Sequence, residues 1–235
     1  MIQEIRRNTV GFPDPSEANK DGIVAWGGDL HPYRVLDAYR SGIFPWYSKN
    51  DPILWWSPDP RLVMDLDDIK ISRSLKKNLK KFEYKFDTHF SEVIKRCATT
   101  PRATQDGTWI QPEVIESFTY LHKMGYAHSV ESYYNGELVG GLYGIAIGRV
   151  FCGESMFSIM NDASKSAYVI LVKHLKKWGF DFVDCQVPTE HLKSLGAKEI
   201  SREEFLMKLK ESSKEIKLKE WKIDEDLTAL NIINN

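Results

Sequence analysis

Two short apolar segments of this 235-residue chain carry polar side chains where a strand would bury them. VFCGESMF, residues 150–157, alternates so that Val150, Cys152, Glu154 and Met156 share one face, which sets a lone carboxylate in an apolar row. FDFVDCQV, residues 180–187, places Asp184 and Gln186 on one face with Phe180 and Phe182. Two positions apart on a strand, a carboxylate and an amide project side by side, about 7 Å apart. That spacing suits joint hydrogen bonding to one ligand. Ordinary exposed strand positions are the competing reading, and the apolar flanks argue against it. Cys185 could be a nucleophile, but no histidine stands beside it, and a buried structural thiol explains it better.

Other chemistries find little support. Cys97, Cys152 and Cys185 are odd in number, widely spaced and lack a CxxC pair, so neither a disulfide framework nor a zinc site is expected, and no metal. Gly140, Gly141 and Gly144 permit close backbone approach but form no phosphate loop, and neither GxGxxG nor a P-loop occurs. A formal net charge of −1 argues against bulk coating of nucleic acid and leaves room for a local patch. That patch is KISRSLKKNLKKFEYK, residues 70–85, with seven basic residues against one acid. Leu75, Leu79 and Phe82 recur at helical spacing and Ser72 can cap the start. A solvated face is the common explanation for such a run. In a chain that is neutral overall, a phosphate-facing patch of Lys70, Arg73, Lys76, Lys77, Lys80 and Lys81 is the sharper one.

Residues 42–61, GIFPWYSKNDPILWWSPDPR, hold three tryptophans and four prolines. Proline fixes φ and biases the preceding residue toward extended backbone, so the aromatics here lose little entropy on binding something. On composition, core packing and a binding platform are both open for Trp55 and Trp56. No apolar run reaches the roughly 20 residues of a membrane span, and MIQEIRRNTVGFPDP lacks the apolar core of a leader. A cytoplasmic protein with reduced thiols is expected.

The elements that must position these residues are legible in outline. Asp29 can cap a short helix that carries Pro32 in its first turn and ends before Gly42. A composition shift places a boundary near residues 62–68, giving a small N-terminal α/β domain over 1–65 and a larger one over 66–235. From residue 82 the order reads β-α-α-β-β-β-α-β-α. Asn135-Gly136 makes the hairpin turn, and a second turn falls at Gly148-Arg149. Asn161 or Asp162 caps a strongly apolar helix, and SREEF opens the last one as a capping box. The class is α+β, with a mostly antiparallel sheet and one helical crossover. This order resembles the GNAT acyltransferase fold. The glycine-rich pyrophosphate loop usual there is replaced by SMFSIMNDASKSA, which counts against acyl-CoA as donor. A carbohydrate-binding module would also present proline-stiffened tryptophans, yet would leave the basic patch and the DCQ strand without purpose.

FPWYS, PILWWSPDPR, GTWI, FCGESMFS, ASK and DCQV, in this order and spacing, resemble the bacterial leucyl/phenylalanyl-tRNA–protein transferases from about residue 11 to 196. The resemblance implies transfer of Leu or Phe, and Met less well, from aminoacyl-tRNA to proteins with N-terminal Arg or Lys. The new peptide bond makes a degradation signal, and the reaction uses no cofactor. It further implies that Asp184 and Gln186 are catalytic, with Asp184 either a base or a group that orients and polarises the Gln186 amide. By the same carry-over Glu154 holds polar groups of the donor. Trp46 and Trp109 would then stack on the terminal adenosine, while Trp55 and Trp56 would belong to the scaffold at the domain junction. Leu142, Phe151, Gly153, Met156, Leu171 and Val183 would line the aminoacyl pocket, with Leu142 and Leu171 standing where relatives carry Met and Phe.

Overall fold

The computed structural model describes residues 2–101, 108–213 and 220–234. In chain order the elements are β1 (Gln3–Ile5), β2 (Ile23–Gly27), α1 (Pro32–Arg40), β3 (Phe44–Pro45), β4 (Leu54–Trp56) and β5 (Arg61–Asp65). Next come α2 (Arg73–Leu79), β6 (Glu83–Phe86), α3 (Phe90–Thr99), α4 (Pro112–Lys123), β7 (Ala127–Tyr134), β8 (Glu137–Ile147) and β9 (Val150–Ser158). The rest are α5 (Ala163–Lys177), β10 (Phe182–Gln186), α6 (Glu190–Ser194), β11 (Lys198–Ile200), α7 (Arg202–Ser212) and α8 (Ala229–Asn234). Among the described residues the strands form two sheets. The smaller has the order β1-β2-β4-β3 and the larger β11-β5-β10-β9-β8-β7-β6.

The aromatic stretch divides between these roles. Trp55 is fully buried on β4, donates its indole N–H to the Gly27 carbonyl at 2.9 Å, and takes the edge of Phe12. Trp56 is half-buried and donates to the Trp46 carbonyl at 2.6 Å, which ties the proline-flanked loop to its own sheet. The helix start differs from expectation. His31 occupies the cap position of α1, while Asp29 accepts the His31 backbone N–H and pairs with Arg34 instead. Asp29 thus makes a turn before the helix rather than closing its first N–H groups. Gly42, at φ +76, lets the chain leave α1 for β3.

The larger sheet is antiparallel except where β9 lies parallel to β10, and α5 makes the crossover between them. The expected order from residue 82 is present, with α6 and β11 added between β10 and α7. Both additions are too short to show a hydrophobic period. β5 pairs with β10 and β11, so residues 61–65 of the expected small N-terminal unit are strand residues of the larger sheet. Apolar side chains pack on both faces of that sheet. One side carries α3 and α4 and merges with the core of the smaller sheet; the other carries α2 and the almost wholly buried α5. Ser72 accepts the Leu75 N–H at the start of α2, and Ser201 accepts the Glu204 N–H on α7, as their spacings indicate. Asp162 stands at the α5 cap position, but its carboxylate accepts from Asn78 at 2.7 Å and so joins α5 to α2.

Two β-bulges interrupt the strands that carry the polar residues. On β9, Ser155 pairs with Tyr143 and Gly153 with Gly144, so Glu154 is the extra residue. On β10, Asp184 pairs with Val63 and Gln186 with Leu62, so Cys185 is the extra one. Parallel pairing of β9 and β10 runs only from Phe182↔Val150 to Asp184↔Cys152, and a gap opens beyond it. Bulges re-aim side chains and end ladders, and here they do both. Gly144 is required for this geometry. A Cβ there would lie 2.3 Å from the Cys152 carbonyl oxygen and 2.6 Å from two ring carbons of Phe151. Gly144→Ala should therefore cost about 1–3 kcal/mol or more, the usual range for overpacking, read as a lowered thermal midpoint. An unchanged midpoint would show that the bulge can absorb the methyl group.

Candidate active site

The gap between the splayed strands is a cavity of about 560 Å³. Leu142 on β8, Phe151 and Met156 on β9, Leu171 on α5 and Val183 on β10 all line it. Trp46, just past β3, and Trp109, just before α4, line it too, although 63 positions apart would be invisible to any local pattern. Gly153 faces open space: a Cβ there would meet nothing nearer than the Asp184 carbonyl oxygen at 3.8 Å. Glu154 and Gln186 complete the wall.

The two polar side chains meet across the gap. Gln186 donates its side-chain N–H to Glu154 Oε1 at 2.7 Å, and Tyr39 of α1 donates its hydroxyl to the same oxygen at 2.6 Å. Glu154 is half-buried as a residue. Its Oε2 is shut from solvent and has no partner among the described residues. Burial pushes its carboxyl up to about 8, and Asp184 adds to this; the Tyr39 and Gln186 hydrogen bonds pull the other way. Burial also raises the Tyr39 phenol well above its ordinary value. The thiols follow the same rule. Cys185, on the cavity wall, is pushed up to about 12 by burial, and Cys152 is raised well above its ordinary value. Neither supplies a thiolate near neutrality.

Asp184 corrects the simple alternation. It does not line the cavity and does not stand beside the Gln186 amide; the bulge at Cys185 puts the two side chains to different uses. Gln186 takes a left-handed backbone at φ +64 and turns into the cavity. Asp184 points instead at Arg61, in a two-point pair of 2.8 Å (Nε–Oδ1) and 2.7 Å (Nη2–Oδ2), with both side chains 1% exposed. Arg61 also donates to the Gly42 carbonyl at 3.2 Å and lies under the rings of Phe205 and Phe44. Asp184 Oδ1 accepts the Gln186 backbone N–H at 2.9 Å. The carboxylate therefore holds the strained backbone of Gln186, not its amide.

Sequence reasoning missed Arg61 and Tyr39. The signal for Arg61 was a single cation opening the apolar run RLVM, where burial demands a counter-charge. Tyr39 sits among the apolar positions of α1 and gave no signal at all.

The basic residues occupy a different surface. Lys70, Arg73, Lys76, Lys77, Lys80 and Lys81 follow α2 and its flanks, mostly exposed, and none lines the cavity. Among the described residues none of the six has a carboxylate within ion-pair distance. Among those residues, too, no group of three or more His, Cys, Asp or Glu could hold a metal ion, and no helix is long and apolar enough to cross a membrane.

Known proteins resemble this chain closely. The leucyl/phenylalanyl-tRNA–protein transferase from Sulfurimonas denitrificans is 61% identical over 223 residues, spanning 95% of this chain and 98% of that protein. Its namesakes from Nitratidesulfovibrio vulgaris and Legionella pneumophila are 51% and 55% identical, covering 92% and 91% of this chain and 93% and 96% of theirs. The family model for leucyl/phenylalanyl-tRNA protein transferase matches residues 63–210, and the model for that family's N-terminal domain matches residues 28–59. With that coverage and identity, the chain belongs to the leucyl/phenylalanyl-tRNA protein transferase family.

Proposed function

We propose that the protein transfers Leu or Phe, and Met less well, from aminoacyl-tRNA to the N-terminal Arg or Lys of acceptor proteins. It does so in the cytoplasm on a GNAT-like acyltransferase sheet, and the product N-terminus acts as a degradation signal. The observation that carries this reading is the meeting of an apolar cavity, two tryptophans and the Gln186–Glu154 pair in one gap. Leu142, Phe151, Met156, Leu171 and Val183 receive the aliphatic or aromatic side chain, which leaves water as it enters. Trp46 and Trp109 offer faces for the terminal adenosine, at about 1–3 kcal/mol per stacked base. The acceptor's α-amine attacks the ester carbonyl and the tRNA leaves. Gln186 Oε1 accepts a hydrogen of the incoming amine, while one of its two amide N–H groups is held by Glu154 and so fixes the side chain. Asp184 acts through Arg61 and the Gln186 backbone, as a positioning residue.

Transfer of labelled Leu from charged tRNA to a peptide with N-terminal Arg tests the reading directly. No incorporation above that into a blocked peptide would overturn it. The basic surface on α2 gives a second test. Neutralising Lys76, Lys77, Lys80 and Lys81 together should weaken tRNA binding and lower its logarithmic salt slope by roughly 3. A minimal aminoacyl-adenosine donor should react almost unchanged. Equal losses with full tRNA and the minimal donor would remove the patch from tRNA binding.

A further inference from the structure

The gap holds one oxygen that the reading above leaves idle. Glu154 lines the cavity, and its Oε2, shut from solvent, has no partner among the described residues. Buried polar atoms are nearly always hydrogen-bonded, and an orphan at a site points to a ligand group that completes it. Most of the other acid–base candidates are committed. Asp184 is held at two points by Arg61 behind the wall. The Cys185 and Cys152 thiols and the Tyr39 phenol are held protonated by burial. His191, also on the cavity wall, is kept neutral by burial and by Lys165 and has its own unpartnered Nε2, but only Glu154 is hydrogen-bonded to Gln186.

We infer that Glu154 is the proton carrier of the transfer, taking the proton from the attacking amine at Oε2 and delivering it to the leaving ribose oxygen. This rests on the aminoacyl-transfer reading above. The amine nitrogen bonds to the carbonyl carbon, and its surplus proton passes to Oε2. As the ester C–O bond breaks, the same proton moves to the ribose oxygen, so the carboxylate is restored and no other reactant is needed. Gln186 and Tyr39 both occupy Oε1, which leaves Oε2 as the oxygen free to take the proton once the donor and acceptor seat against it. The electrostatics suit the task. A carboxyl raised to about 8 matches an α-amine near 8, so the proton crosses between them at little cost. The charged and titratable groups around Glu154 are Tyr39 on α1, Cys152 on its own strand, Asp184 on β10 and Arg61 on β5.

The sign of the pH dependence follows. The productive state needs both a neutral amine and an ionised Glu154, so the rate rises with pH through two ionisations. The experiment follows kcat/KM for the acceptor peptide against pH with an aminoacyl-adenosine donor. For the native enzyme the logarithmic slope below both ionisations should approach two. For Glu154→Gln, which keeps the size of the side chain, it should fall to one, with a rate lower by about 10²–10⁴-fold, the usual span for such catalysis. Tyr39→Phe gives a check that does not depend on the first variant folding. The Tyr39 hydrogen bond lowers the Glu154 value, so its loss should move one limb to higher pH and leave the amine limb in place. A single ionisation in the native enzyme, or a Tyr39→Phe profile with both limbs unmoved, overturns the assignment to Glu154. Both slopes are read on an enzyme that transfers, so failure of the carrier role is distinct from absence of transfer.

Discussion

Asp184→Ala should destabilise the fold by about 3–5 kcal/mol, the cost of leaving a buried charge without its partner. Arg61 is the charge left behind. It is 1% exposed, wedged between Phe44 and Phe205, and one hydrogen bond to the Gly42 carbonyl cannot neutralise it. The loss should appear as an earlier transition in urea with little change in slope. Arg61→Met should cost a comparable amount, since it strands the carboxylate. Arg61→Met combined with Asp184→Leu should be milder than either, because an apolar pair of similar volume removes both desolvation costs. If Asp184→Ala costs less than about 1 kcal/mol, the range of an exposed pair, the ion pair is not the clamp that the burial implies.

Gln186→Ala should lower kcat by about 10²–10³-fold, the usual penalty for removing one aligned hydrogen-bond partner from a reacting centre, with tRNA affinity unchanged. Two losses combine. The amine no longer meets the amide oxygen, and Glu154 no longer receives the N–H that fixes Oε1. The backbone stays at φ +64 in either case, held by Asp184, so the fold should tolerate the change better than it tolerates loss of Asp184 itself. Single-turnover transfer with preformed complex separates this from weaker binding. Native single-turnover rates in Gln186→Ala would take the side chain out of the mechanism.

The sequence told most where a local rule acts alone. Ser72, Ser201 and the Asn135-Gly136 turn announce themselves because a cap or a tight turn involves residues only a few positions apart. The apolar alternation around Glu154 and Gln186 pointed to two strands whose polar residues meet at the cavity, since burial leaves few explanations for a polar residue there. It failed on Asp184, because a bulge adds one residue without any compositional mark and reverses which face follows it. Trp46 and Trp55 differ by burial; identical chemistry and neighbouring prolines did not separate them, and only the family resemblance set Trp46 at the adenosine and Trp55 in the scaffold. That difference arises from pairing with β2 and β3, which only the folded sheet supplies. Arg61 stayed hidden because its partner lies 123 positions away.

The separation of those partners has a consequence for how the chain matures during synthesis. Tyr39 finds Glu154 across 115 positions and Arg61 finds Asp184 across 123. Closing such long loops costs entropy before any contact repays it, so the pairs form late in folding. β5 cannot take its place between β10 and β11 until both have left the ribosome. Until then the backbone groups on both edges of residues 61–65 have no strand to pair with. The active centre therefore cannot close before the last strands dock and bring the two halves of the wall together.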